Sequence, residues 1–184
     1  IQRYKDLIRQ RLSGQPLGYI TGKKSFLSWE FRVTPAVLVP RPETEVLVEK
    51  TVEVCRGAAS GRLLEIGTGS GVIALALAHY LPTFQLDAVD LSPAALEVAV
   101  VNTEAHQLEG RINFYAGDLF AALPTPDQEG YTGIVTNPPY IPTAVLPTLE
   151  KEVRNEPSLA LDGGPDGLEV IRRIIAEAPA YLTP

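Results

Sequence analysis

The sequence predicts an α/β protein built on a doubly wound parallel sheet, and three observations carry that expectation. Between residues 62 and 136, short apolar runs alternate with stretches of helical periodicity, the pattern of strands joined by helical crossovers. The first apolar run leads into Gly67-Thr68-Gly69-Ser70-Gly71, a loop whose backbone can approach a ligand closely. Asp90, Asp118 and Asn137 stand at the ends of the later runs, and ligands of open α/β sheets lie at the carboxyl ends of strands.

In chain order, residues 1 to about 13 carry Leu7, Ile8 and Leu12 at helical spacing and stop at Ser13-Gly14, which reads as the tail of an amphipathic helix. From Ile20 to Val39 the apolar positions Phe26, Trp29, Phe31, Val33, Val37 and Val39 alternate with turn residues, predicting a β-hairpin linker. Pro40-Arg41-Pro42 ends it, and Glu43 to about Arg56 reads as a helix with acidic residues in its first turn. Strands follow at 62–66, 84–90, 111–116 and 132–136, with helices at 71–80 and 93–107. Pro82 stops the first of these helices, while Ser92-Pro93 supplies an N-cap and a first-turn proline for the second. Residues 121–131 read as a surface loop, 140–166 as irregular chain, and Gly167 to about Ala178 as a further helix.

Composition narrows the class. The 184 residues are 45% hydrophobic and 21% charged, enough for one well-packed core. A net charge of −6, from 16 basic and 22 acidic residues, disfavours sequence-independent binding to phosphate backbones. One cysteine, Cys55, excludes an intrachain disulfide, and two scattered histidines make no metal-ligand pattern. No apolar stretch reaches transmembrane length and none resembles a signal peptide, so a cytoplasmic protein is expected. The chain starts at Ile1, contains no Met and stops just after a helix, so it reads as a piece of a longer protein.

The chemistry concentrates at the strand ends. The glycine loop has the spacing G-x-G-x-G, a loose match to the dinucleotide fingerprint that does not require a pyrophosphate. Asp90 is placed to accept hydrogen bonds from both ribose hydroxyls of a ligand held over that loop, and Asp118 to receive an adenine amino group. Asn137-Pro138-Pro139-Tyr140 closes the run Gly133–Thr136. Proline cannot donate to a ladder, so the strand should end there with carbonyl oxygens free to face a cleft. The Asn137 side-chain oxygen and the Pro138 carbonyl could then accept both hydrogens of a substrate NH2. Each piece has a bland counterpart: a tight turn, a helix cap, an ordinary strand-ending turn. Their order along four successive strands is what those counterparts explain poorly.

With these motifs in view, the chain resembles the S-adenosylmethionine-dependent methyltransferases, and among them the HemK/PrmC family that methylates the glutamine side chain of peptide-chain release factors. The likeness spans nearly all 184 residues. It rests on EIGTGSG and NPPY together with GQPLGYITGKKSF, VLVPRPETEVLVE at 37–49 and EPSLALDGGPDGL at 156–168. The resemblance implies a Rossmann-like methyltransferase domain over 43–184 with C-terminal strands still to come. It also implies a hairpin linker over 20–42 and, over 1–19, the remnant of a helical substrate-recognition domain. It implies that Gly67, Thr68, Gly69, Ser70 and Gly71 line the methionine part of S-adenosyl-L-methionine, that Asp90 holds the ribose, and that Asp118 and Leu119 border the adenine. Asn137, Pro138, Pro139 and Tyr140 would bind the glutamine, and release factors would be the partner of a monomeric enzyme. Gln15, Gly18, Glu65 and Leu119 depart from common family residues; Leu119 offers adenine apolar contact without ring stacking.

An amide nitrogen is a poor nucleophile, so catalysis by positioning and electrostatics is expected, with Tyr140 shaping the slot and no general base evident. Glu65 either faces the cofactor's cationic end or caps loop amides. Arg41, Glu43 and Glu45 either order the pocket wall or form a solvated helix start. Cys55, His79 and His106 read as surface or packing residues, and Trp29 as part of the hairpin core. Three alternatives compete: a DNA or RNA amino-group methyltransferase, which would need a basic groove, a non-catalytic cofactor-binding module, and an NAD-dependent oxidoreductase, which would leave NPPY unexplained.

Overall fold

The computed structural model describes residues 2–124 and 130–183. Helix α1 (Gln2–Leu12) is followed by the short α2 (Leu17–Thr21), which ends at Gly22 in the left-handed region, φ 77°. Strands β1 (Lys23–Phe26) and β2 (Trp29–Arg32) form an antiparallel hairpin, and α3 (Glu43–Cys55) leads into the main sheet. The predicted hairpin is therefore shortened at both ends. Ile20 lies in α2, and Val33, Val37 and Val39 lie between β2 and α3 outside any strand, Val33 keeping one bond from its N–H to the Gly22 carbonyl at 3.1 Å. These valines alternate because they are buried, and Pro35 and Pro40 stand among them, each unable to donate to a ladder.

The hairpin is also no free linker. Phe26 and Phe31 are fully buried in the same core as α3 and the sheet, and Asn102 reaches across from a later helix to bond the backbone of Arg32 at both its N–H (2.7 Å) and its C=O (3.0 Å).

Beyond α3 run β3 (Gly61–Ile66), α4 (Val72–Tyr80), β4 (Phe84–Asp90), α5 (Pro93–Ala105), β5 (Ile112–Ala116) and β6 (Gly133–Thr136). The four strands are parallel in the order β5-β4-β3-β6. The predicted Ser92 cap is present: its hydroxyl accepts from the Ala95 amide, with Pro93 in the first turn of α5. Successive residues of β3 face opposite layers, Leu63 joining the core under α3 and α4 while Leu64 and Ile66 join Phe120, Tyr131 and Ile174 on the other side. Parallel strands covered on both faces explain why they read as near-continuous apolar runs.

Past β6 the chain passes through α6 (Lys151–Arg154) to α7 (Glu169–Glu177). After α7 it returns to the sheet: a parallel bridge joins Leu182 to Tyr131, with Tyr131 N–H donating to the Tyr181 carbonyl at 2.7 Å. Residues 125–129, in the predicted surface loop, lie outside the described residues.

The strand order fixes where a ligand can sit. From β3, strands β4 and β5 build outward on one side, and β6 crosses to the other. The crossovers thus diverge at the β3/β6 boundary, and the crevice beyond the carboxyl ends of those strands is the preferred ligand position in such sheets.

Candidate active site

The ends of β3 and β6 are paired residue for residue, Ile66 opposite Thr136, and the Thr136 hydroxyl donates to the Ile66 carbonyl at 2.7 Å. This places the glycine loop and the NPPY segment side by side. A cleft of about 240 Å³ opens above them, lined by Glu65 to Ser70, Asp90, Asp118, Leu119, Asn137, Pro138 and Pro139.

The glycines of the loop divide their work. Gly67 and Gly69 hold φ of 77° and 56°, and a Cβ on either would point into open space. Gly71, at φ 84°, caps α4, and its missing Cβ leaves room for Leu75 and Ala99, which a methyl would meet at 2.8 and 3.2 Å. Gly71 was expected among the cofactor contacts; it is not part of the cleft lining, and its close approach serves the packing of α4 against α5.

Glu65, at the end of β3, is 1% exposed. Its Oε2 accepts from the Thr68 hydroxyl at 2.7 Å and from the Ala74 amide at 2.9 Å, capping the first turn of α4. Its Oε1 has no partner among the described residues. Burial, opposed in part by those two hydrogen bonds, pushes the carboxyl up to about 8. Both readings of Glu65 thus have a physical basis, one on each oxygen.

Asp90 accepts from the Gly69 amide (2.7 Å) through Oδ2 and from the Ser92 amide (2.9 Å) through Oδ1. Each oxygen keeps a second lone pair for a ligand hydroxyl. Burial raises this carboxyl above its ordinary value despite the two amides. Asp118 is committed through Oδ2 to Arg173 of α7 at 2.7 Å, a cleft-lining partner that no local sequence signal announced. Leu119 stands in the left-handed region, φ 49°, uncommon for a branched residue without a compensating role.

Asn137 donates from Nδ2 to the Thr44 hydroxyl at 3.3 Å. Among the described residues no hydrogen bond engages its Oδ1 or the Pro138 carbonyl. Tyr140 sits differently from the expectation that it would pack over the reacting groups. The residue is 63% exposed and lines an adjoining groove with Glu43, Leu47 and Ile141. Ile141 N–H donates to the Leu161 carbonyl and Gly163 N–H to the Ile141 carbonyl, so the backbone after Tyr140 is pinned to the segment 161–163. A Cβ on Gly163 or Gly167 would collide with the Tyr140 backbone, which explains two of the three glycines of DGGPDGL; one on Gly164 would strike the Glu169 side chain.

The two cavities share Leu38, Arg41, Thr44, Asn137, Pro138 and Ala160. Arg41 pairs with the buried Glu156, whose other oxygen accepts from the Val39 amide at 2.9 Å. Glu45 accepts from the Leu27 amide in the hairpin turn at 2.7 Å. Arg41 thus orders a wall shared by both cavities, Glu45 ties α3 to the hairpin turn outside both linings, and Glu43 borders the groove. Sequence reasoning missed Asn102, which donates to the Ser70 carbonyl at 2.8 Å and so ties the glycine loop to the hairpin. Cys55 is buried, and His79 and His106 pack on Trp29 at ring-centroid distances of 4.8 and 4.7 Å.

No helix among the described residues is long and apolar enough to cross a membrane, and they hold no cluster of metal-ligating side chains.

Comparison with known proteins agrees with this geometry. A protein of Moorella thermoacetica named release factor glutamine methyltransferase is 48% identical over 182 residues, 99% of this chain and 63% of that protein. One of the same name from Gloeobacter violaceus is 44% identical over 97% of this chain and 62% of its own length. The chain thus spans a little under two thirds of these relatives. A methyltransferase of Pyrococcus furiosus shares the fold at a TM-score of 0.58 and 18% identity, covering 100% of this chain and 74% of that one. The hMettl16 catalytic domain, solved in complex with the MAT2A 3'UTR hairpin 6, does so at 0.62 and 19%, covering 82% and 56%. Residues 42–151 match the methyltransferase small domain family, and with glycine loop, Asp90 and NPPY on one sheet edge, the chain belongs to that family.

Proposed function

We propose that the protein transfers a methyl group from S-adenosyl-L-methionine to the side-chain amide nitrogen of a glutamine in peptide-chain release factors. The observation that carries the reading is the pair of acceptors at 137–138: an Asn137 Oδ1 and a Pro138 carbonyl without partners among the described residues, at the wall shared by two cavities. Two acceptors on adjacent residues suit an NH2 group, and two cavities suit a donor entering from one side and an acceptor chain from the other.

The residues present fit the cofactor. Glu65 Oε1 is a buried acceptor on the cleft wall without a partner among the described residues, and would hold the ammonium of the methionine part. Gly67 and Gly69 leave the space that side chains would fill. Asp90 would hold the ribose hydroxyls, and Leu119 with Asp118 would border the adenine. When bound, this cofactor supplies an electrophilic sulfonium methyl.

The chain's own task is then to present the nucleophile. An amide lone pair is delocalised into its carbonyl. Accepting both N–H bonds at Asn137 Oδ1 and the Pro138 carbonyl shifts electron density onto the nitrogen and holds it in one orientation. Once methyl transfer leaves the nitrogen positive, its proton is acidic and passes to water, so no side-chain base is needed. Tyr140, on the adjoining groove, contacts the acceptor chain rather than the reacting atoms.

The chain up to residue 19 belongs in this reading to a substrate-recognition element. It is supported by the docking of α1 through Arg11 on Glu152 and by the bond from Asn155 to the Gly14 carbonyl at 2.8 Å. The net charge of −6 favours a protein over a nucleic-acid substrate. The reading is tested by replacing the acceptor glutamine of the release factor with glutamate. Methyl incorporation should vanish, and persistence of the label on that variant contradicts the assignment.

A further inference from the structure

We infer that Thr44 is a positioning residue that tethers one end of the Asn137 carboxamide and so holds the other end toward the reacting groups, an inference that rests on the reading of the site just given. Thr44 is 9% exposed in the first turn of α3. Its hydroxyl is the only hydrogen-bond partner of Asn137 Nδ2 among the described residues, and it lies 93 positions away in the sequence. It borders both cavities, as Asn137 does.

The oxygen and nitrogen ends of a carboxamide have nearly the same size, so packing alone does not choose between them; the hydrogen-bond partners do. With nitrogen held on Thr44, Asn137 offers an oxygen acceptor to a substrate NH2. Turned over, it would offer a second NH2, and donor would face donor. Pro138 cannot supply the choice, because its carbonyl is fixed by the backbone and it has no N–H. Thr44 is itself held: its amide donates to the Arg41 carbonyl at 3.1 Å, and Arg41 is anchored on buried Glu156. The PRPETE segment thereby acts on the chemistry through one hydroxyl.

A hydroxyl can serve either end of a carboxamide, so the test reads orientation as well as rate. In the intact protein, with a release factor as acceptor, Thr44→Val removes the hydroxyl at nearly constant volume and Thr44→Ser keeps it. Thr44→Val should lower kcat by about tenfold, the effect of one orienting hydrogen bond, with the cofactor Kd and the Tm close to wild type. Thr44→Ser should recover most of the turnover. In an isotope-labelled sample, the Asn137 side-chain NH2 signals should exchange with water faster in Thr44→Val than in the wild type. Unchanged turnover in Thr44→Val overturns the inference, as does a Thr44→Ser variant as slow as Thr44→Val, or a rate loss matched by weaker cofactor binding. A wild-type protein that methylates no release factor defeats the functional reading itself, and the NH2 exchange comparison then decides the Thr44 contact on its own.

Discussion

Glu65 Oε2 lies 2.9 Å from the Ala74 amide nitrogen, so a carboxyl at the end of β3 caps α4 while its second oxygen remains without a partner among the described residues. Burial holds this carboxyl at about 8, well above its ordinary 4.5. The folded protein therefore keeps a proton that the unfolded chain releases between those values, and this group's contribution to stability is lost as pH rises through that window. A cation bound at Oε1 favours the ionised form. Cofactor binding near pH 6–7 should accordingly release a proton and tighten by up to about tenfold per pH unit. Calorimetry in two buffers of different ionisation heat measures the proton, and Glu65→Gln should abolish it. An affinity independent of pH in the wild type contradicts the placement of a cation at Oε1.

Gly69 and Gly71 should respond differently to alanine. Both hold positive φ, which carries a strain of about 1–2 kcal/mol for a residue with a side chain. At Gly69 the new methyl enters the cleft, so cofactor affinity should fall more than stability does. At Gly71 it strikes Leu75 and Ala99, so the Tm should drop further than in Gly69→Ala. Cofactor Kd and Tm measured on both variants check the division.

Much of the molecule was legible because its signals are local. The strands and helices of 62–136 announce themselves by apolar periodicity, the Ser92-Pro93 start of α5 by its chemistry, and the ligand edge by polar residues at strand ends. The hairpin is shorter than its apolar pattern implies, because Val33, Val37 and Val39 are buried outside any strand and burial does not require a ladder. Tyr140 and Gly71 stand outside the main cleft lining for a related reason. A motif shows which residues travel together, whereas the pairing of Ile141 with Leu161 and the packing of Gly71 on Ala99 decide which of them face the cavity. Contacts such as Thr44 with Asn137, Arg41 with Glu156 and Asn102 with Ser70 join residues far apart in the chain, and no short window of sequence contains them.

Asn102 makes the sharpest stability expectation. Its buried carboxamide serves the Arg32 N–H, the Arg32 C=O and the Ser70 C=O. Asn102→Ala leaves three backbone groups without that partner and should cost about 3 kcal/mol in denaturant unfolding. Because Ser70 belongs to the glycine loop, cofactor affinity should weaken as well. A variant as stable as the wild type would show that water replaces the side chain, and that the tie between hairpin and loop is dispensable.

The central claim is that Asn137 Oδ1 and the Pro138 carbonyl receive a carboxamide NH2. Its most direct measurement is methyl transfer from labelled S-adenosyl-L-methionine, by the intact wild-type protein and by Asn137→Ala, to separate samples of release factor, DNA and ribosomal RNA. The account predicts label in the release factor alone, reduced by about 10²–10³-fold in Asn137→Ala while cofactor binding persists. Label confined to nucleic acid, or undiminished transfer by Asn137→Ala, would contradict it.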